Sequence, residues 1–362
     1  MIRPFAPIAL ILFLATGCAA TQNKSMKQNS EPTTAVAAKQ LPQPKWIEGE
    51  SERYPRLDHM RSRSQAASAK EAEQQAKAKL AKMFMVDIGA LKVSPHQAKI
   101  AADYELVETY SSEQAPLAAF AEIKHILDKI KVVDQWHQLE SNTHHALAVL
   151  PRNIGKAYLR KEIRRLDDQT SELIDQAQTH GDPIVQLGMM AKAWRTQQIR
   201  DALQKTMTRA DLTGRGVKPK WRLRNMKQDV DSMLTSLRIY PTGLEGDKNA
   251  RAMTAMLQGA LKLAGLTPAE KSSADYIIRA VVDVSIVGEE NGWALGHGAI
   301  KVVLAANKDN RLLGSRQWEF QTPGLHEDHA KRRVLEKTEY MLKKNMRDTL
   351  IDMAMEQAPI GD

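Results

Sequence analysis

The sequence predicts an α+β chain, built as two small helix-on-antiparallel-sheet domains joined by a helical, basic hinge. Three observations carry that prediction. Apolar residues recur at helical spacing in some stretches and alternate at strand spacing in others, and the C-terminal third reads strand, helix, three-strand meander, helix. At 362 residues with 43% hydrophobic composition, the chain exceeds what one core usually organises, so two are expected. Between them lies the most basic stretch of the chain, Arg209 to Lys227, punctuated by Gly214, Gly216 and Pro219.

The elements follow in chain order. Residues 1–17 carry Arg3, an apolar run from Ile8 to Leu14, and Ala15-Thr16-Gly17 directly before Cys18. That order of positive, apolar and small residues is a lipoprotein signal peptide, with Cys18 as the lipid attachment site. The apolar run is too short to span a bilayer comfortably. Ala19 follows the cysteine where retention at the inner membrane would typically show aspartate, so the resemblance of this segment to sorted lipoproteins implies a location at the outer membrane, lipid-anchored, on its periplasmic face. Residues 18–44 form the lipidated Cys18 and a flexible tether without apolar period, reaching on the order of 25 to 30 Å as a coil. Cys18 is the only cysteine, so no disulfide staples the fold and stability rests on apolar cores.

The first domain is expected over 45–167. A helix runs over Ser68 to Leu91, with the stripe Ala72, Ala76, Leu80, Met83, Phe84, Ile88 and Leu91. Pro116 opens another helix with Leu117, Phe120, Ile123, Leu127 and Ile130 inward. Lys131 to Glu140 and His144 to Leu150 pair around Ser141-Asn142-Thr143, and helical spacing resumes from Asn153 to Leu166. Residues 168–220 make the helical bridge and basic hinge, broken at Gly181-Asp182-Pro183, where Asp182 is placed to cap a new helix starting at Pro183.

The second domain is expected over 221–357, with residues 358–362 as a tail. Ser236 to Tyr240 is a short strand, and Lys248 to Ala264 a helix with Ala252, Met256, Ala260 and Leu263 inward, closed by Gly265. Ala274 to Val287 alternates strictly, Asn291-Gly292 is a hairpin turn into Trp293 to Ala305, and Asp309-Asn310 turns into Leu312 to Phe320. A long helix from Leu325 to Met355 packs Ala330, Val334, Met341, Leu342 and Met353 onto the sheet. Gly296 and Gly298 mark strand positions where a side chain would clash.

Several landmarks combine into a family resemblance. Ala72, Ala76, Ala78, Leu80 and Ala81, then Trp136, the run Ala146 to Arg152, and Gly181-Asp182-Pro183 with Ala191 and Ala193, resemble the LPP-twenty-like outer-membrane lipoproteins over Trp46 to about Leu203. The charged, glycine-free segment Leu57 to Ser64 departs from the glycine-bearing first strand of that family. Ala274-Asp275-Tyr276, Gly292-Trp293 and Gly314-Ser315 to Trp318 are similar to the small accessory domains of TolB amino-terminal, curli-secretion and penicillin-binding-protein-activator types, and to the middle region of the flagellar T-ring protein. The resemblance implies partner-docking modules and carries no catalytic residue over to this chain.

No motif announces an enzyme. The sequence contains no G-x-S-x-G, H-E-x-x-H or phosphate-cradling Gly-Lys loop. His326 and His329, with Glu327 and Asp328, share a helical face, yet acidic residues at a helix start answer the macrodipole, so no metal is expected. His144 and His145 point to opposite faces of a strand and suit one ion badly. No cofactor is expected. Loss of Arg3 with the signal takes the formal charge from +9 to +8. That excess favours acidic partners, anionic lipid or cell-wall polymers, while nucleic acid is not expected facing the periplasm. Arg215, Lys218, Lys220, Arg222 and Arg224 are the candidate contacts for an anionic ligand, and Trp293 with Trp318 the candidate docking pair. The expected role is a non-enzymatic scaffold or accessory factor of an envelope assembly, such as a flagellar basal body or secretion apparatus. It would serve envelope protein partners and form homo-oligomers. The alternative is a carrier or sensor of lipid, lipopolysaccharide or peptidoglycan.

Overall fold

The protein is described by a computed structural model that covers residues 41–85 and 128–359, with side chains 84 and 85 left aside. Cys18, its signal peptide, nearly all of the tether, the helix expected from Pro116 and the end of the helix expected to reach Leu91 lie outside the described residues.

The first sheet holds three antiparallel strands in the order β1-β3-β2: β1 (His59–Ala66), β2 (Lys131–Gln138) and β3 (Thr143–Pro151). The first strand that the family resemblance placed over Leu57 to Ser64 is present as β1 and starts at His59, because Asp58 and His59 both donate to Pro55 O (3.1 and 3.0 Å), closing a turn that leaves Leu57 exposed. Asn142, at φ 49°, makes the β2–β3 turn as read from its sequence. Along β1, Met60, Ser62 and Ser64 are buried on one face. Onto that face packs α1 (Ala69–Met85) through Ala72, Ala76 and Leu80, and Ser64 Oγ donates to Ala72 O. Alanine in the contact stripe permits this close approach. On the opposite face Trp46, carried by the 3₁₀ turn Lys45–Ile47, packs against Trp136, Leu147 and Val149.

Two long helices follow. α2 (Arg152–Thr179) runs without a break through the expected boundary at 167 and 168, and α3 (Pro183–Ala210) begins at the expected cap. Asp182 accepts from Ile184 N (3.1 Å), with Pro183 at the first helical position. The joining element is helical as expected, but it is load-sharing rather than a pivot. The C-terminal half of α3 buries Ile199, Ala202, Leu203 and Met207 in the core under the first sheet, while its N-terminal half buries Ile184, Leu187, Met190 and Ala193 in the second core.

The basic stretch after α3 is shorter than the sequence suggested. It ends at a helix that the glycine and proline signals concealed, α4 (Leu223–Ser236), whose Met226, Val230 and Leu234 are buried at four-residue spacing. Because α4 runs to Ser236, the strand expected from that residue begins later, as β4 (Ile239–Gly243). The second sheet, β4-β5-β6-β7, adds β5 (Tyr276–Glu290), β6 (Trp293–Ala306) and β7 (Leu312–Gly324). It is mixed and not antiparallel throughout, since β4 pairs parallel to β5. The helix between them, α5 (Ala250–Leu263), returns the chain so that both strands run the same way. α5 turns Met253, Leu257, Ala260 and Leu261 inward, about one position round from the expected face, and Leu263 is exposed. Gly265, at φ +91°, terminates it as anticipated.

Asn291 and Gly292, at φ 52° and 80°, form the predicted β5–β6 turn of primed type. α6 (Glu327–Gln357) lies across the sheet with Ala330, Val334, Leu342 and Met353 buried and Met341 partly so. A Cβ at Gly298 would come within 2.6 Å of Val334 Cγ1, and one at Gly296 within 3.0 Å of Ala330 O, which is the clash their positions announced. Among the described residues, no helix is long and apolar enough to cross a membrane.

Candidate functional site

The residues chosen from the sequence do not assemble into one site. Arg215, Lys218, Lys220, Arg222 and Arg224 are all exposed, and Lys220 is engaged locally, lying over the Trp221 ring at 4.6 Å and donating to Ser171 Oγ at 3.1 Å. They read as a solvated basic surface. Trp293 and Trp318 stand on adjacent strands but opposite faces. Trp318 is directly across from Ile300, seven residues along β6 from Trp293, so strand alternation separates them. Trp318 packs against the helix-covered core, while Trp293 is 43% exposed at the hairpin end. His326 and His329 spend a ring nitrogen each on capping α6: His326 Nδ1 accepts from His329 N (3.3 Å), and His329 Nδ1 from Leu325 N (3.1 Å).

A different basic cluster does converge, along the outer edge of β1. Met60, Arg61, Ser62 and Arg63, four consecutive residues, all line one cleft of about 410 Å³. Consecutive strand residues point to opposite faces, so a cleft touched by both parities runs along the strand's edge. Its walls come from both sides of the sheet: Trp46, Gly49 and Arg56 on the outer side, and Met83, Arg152 and Arg209 from the helical side. A second hollow of about 370 Å³ shares His59 and Arg152 and continues to Asn153 and Lys156. Among the described residues, five arginines line the larger cleft and no carboxylate does.

The arginines are held differently. Arg61 donates to Gly49 O (2.8 Å) and Tyr54 O (3.0 Å), so neutral carbonyls orient its guanidinium without cancelling its charge. Burial, with the nearby charge of Arg56, pulls its pKa below the ordinary arginine value. Arg152 donates to Arg56 O (2.8 Å) and Ala210 O (3.0 Å), tying the start of α2 to the loop before β1 and to the end of α3. Burial lowers its pKa too, partly offset by Asp211. Arg56 and Arg63 are exposed, and their side chains converge on Gly49, where a Cβ would sit 3.4 Å from Arg56 Nη2 and 3.9 Å from Arg63 Nη1. Two buried polar atoms beside the cleft, Trp46 Nε1 and His59 Nδ1, have no hydrogen-bond partner. An unsatisfied buried donor costs about 1–3 kcal/mol, which an acceptor from outside would recover. The arrangement is a receptor for negative charge.

The sequence did contain a trace of it. Arg61 and Arg63 alternate along a strand that its own composition marked as charged. Arg152 and Arg209 join them only through the topology, from the starts and ends of helices far along the chain.

No protein-family model matches the chain, and no curated protein sequence matches it. Solved structures with detectable similarity include bacterial secreted proteins and lipoproteins. A secreted protein of Helicobacter pylori aligns at 15% identity over 82% of this chain and 98% of its own, with a TM-score of 0.34. A minor lipoprotein of Acinetobacter baumannii aligns at 11% identity over 31% of this chain and 92% of its own, with a TM-score of 0.25. Superpositions this loose carry no weight for a site or an activity.

Proposed function

We propose that this chain is a non-enzymatic, LPP-twenty-like lipoprotein, anchored through Cys18 in the outer membrane and facing the periplasm. There it serves an envelope assembly as scaffold or accessory factor by docking a negatively charged partner in the β1-edge cleft. The observation that carries the reading is the cleft itself, lined among the described residues by five arginines and no carboxylate. A surface that only kept the protein soluble would intersperse both signs. The anchor supplies the rest of the mechanism. A tether of about 25 residues confines the folded part near the membrane, so modest affinity for a co-localised partner suffices.

The test is crosslinking in intact cells with wild-type protein and the Arg56→Glu/Arg63→Glu double variant, alongside mass spectrometry of residue 18. An acylated Cys18 and a crosslinked protein lost on charge reversal are expected. Crosslinks unchanged by the reversal would refute the cleft as docking site, and an unmodified Cys18 would refute the anchor. A crosslink to glycan or lipopolysaccharide in place of protein would make the chain a carrier or sensor instead.

A further inference from the structure

We infer that the β1 edge is a strand-docking site, where an extended acidic segment of a partner protein pairs with β1 and extends the first sheet to four strands. This deepens the reading of the cleft as a receptor for negative charge and rests on it.

Three features of the cleft point to a strand in preference to a compact anion. Among the described residues β1 pairs with β3 alone, so it is an edge of its sheet. In an antiparallel ladder every second residue turns its N–H and C=O away from its neighbour, so alternate residues of β1, Arg61 at their centre, turn main-chain groups to the edge; His59 N already donates to Pro55 O (3.0 Å), and Arg63 O accepts from Lys79 Nζ (3.4 Å), a contact an added strand would replace. The cleft runs lengthwise along Met60 to Arg63, and a second hollow, lined in part by Asp58, adjoins it at His59 and Arg152. The charge is periodic as well. Arg61 and Arg63 project from the same face two residues apart, a spacing of roughly 6.6–6.8 Å. Carboxylates at alternate positions of an added strand repeat at the same interval, so each falls opposite a guanidinium. Main-chain pairing supplies affinity and the alternating charges supply selection and register. Arginine on an edge strand also discourages unwanted pairing with neutral or basic strands. An acidic strand converts that obstacle into attraction, so the same residues reject most edges and admit one kind.

The experiment uses the full-length protein in detergent micelles and a fluorescein-labelled twelve-residue peptide of alternating glutamate and valine. A second peptide has the same sequence, N-methylated at alternate residues so that charge is kept and one pairing edge is lost. Inorganic polyphosphate is the third probe. The expected result is saturable binding of the first peptide, weakened at least tenfold by Arg56→Glu/Arg63→Glu and at least tenfold by N-methylation, with new amide-exchange protection confined to β1. Arg61 is left intact because it also braces the loop before β1. Equal binding of the two peptides, or protection away from β1, would overturn strand pairing while leaving the arginine cleft as an anion receptor. Failure of the peptides and polyphosphate alike to bind would remove the cleft reading as well.

Discussion

Removing Asp167 should destabilise the protein far more than removing the arginine it serves. Arg200 on α3 is 2% exposed, and its Nε donates to Asp167 Oδ1 on α2 (3.2 Å). Its Nη2 donates to Val217 O (2.7 Å), pinning the segment after α3, and Gln197 Nε2 donates to Asp167 Oδ1 (3.0 Å) and Thr170 Oγ1 (2.9 Å). Asp167→Ala leaves a buried guanidinium with no countercharge among these contacts, a defect of about 3–5 kcal/mol. Arg200→Met removes the buried charge itself and fills its volume with apolar atoms. Asp167 is 18% exposed and turns to water, so the loss should stay below about 1.5 kcal/mol. For a folded unit of this size, unfolding entropy of about 0.7 kcal/mol/K converts the first loss to a fall of about 5–7 °C in Tm. Guanidinium unfolding of the two single variants and the double variant measures all three. The double variant should return close to Arg200→Met. If Asp167→Ala costs less than Arg200→Met, the buried charge is not what the carboxylate serves, and the reasoning fails.

Three further outcomes are expected. Asp182→Ala removes the α3 cap and the acceptor of the Tyr276 hydroxyl (2.6 Å), so chemical denaturation should show a loss of about 2–3 kcal/mol, most of it restored in Asp182→Asn. At Gly188, where a Cβ would meet Ala354 O at 2.1 Å, Gly188→Val must push α3 and α6 apart, costing about 3 kcal/mol in the same assay. Burial, helped by neighbouring His144, holds the His145 pKa below its ordinary value, so folding favours the neutral ring. Its contribution is complete above the unfolded histidine value of about 6.5 and is lost as pH falls through and below it. Unfolding curves between pH 7.5 and 5 should weaken more steeply for the wild type than for His145→Leu.

Where a pattern was local, it was legible. The strict alternation of Tyr276, Ile278, Ala280 and Val282, the Asn291-Gly292 turn and the Asp182-Pro183 start each depend on a few adjacent residues, and each stands where the sequence put it. The errors share a cause in context. Gly214, Gly216 and Pro219 made the following residues look like linker, hiding the Met226, Val230, Leu234 stripe of α4. The buried face of α5 differs from the expected one because Met253 and Met256 both fit a stripe, and only β4 and α6 beside it decide which is covered. The parallel β4–β5 pairing is a tertiary fact that no strand pattern encodes. The cleft was least legible of all. Its arginines occupy positions from 56 to 209, and proximity of that kind is made by folding.

The cleft divides its arginines by task, and the division explains why a small sheet tolerates so much charge along one edge. α1, α2 and α3 cover one side of the three strands, leaving the other to a short turn and a loop, several of whose carbonyls accept from arginines. Arg61 answers Gly49 O and Tyr54 O, and Arg152 answers Arg56 O and Ala210 O, so these two cations replace the hydrogen bonds that a fourth layer would have provided. Hydrogen bonds to neutral carbonyls orient a guanidinium but do not neutralise it, so building the wall this way leaves positive potential in the groove. Arg56 and Arg63, exposed at its mouth, add to that potential and bear less of the structure. Selection for a stable outer face and selection for negative ligands therefore favour the same residue type here, and charge reversal at Arg56 and Arg63 separates the two demands.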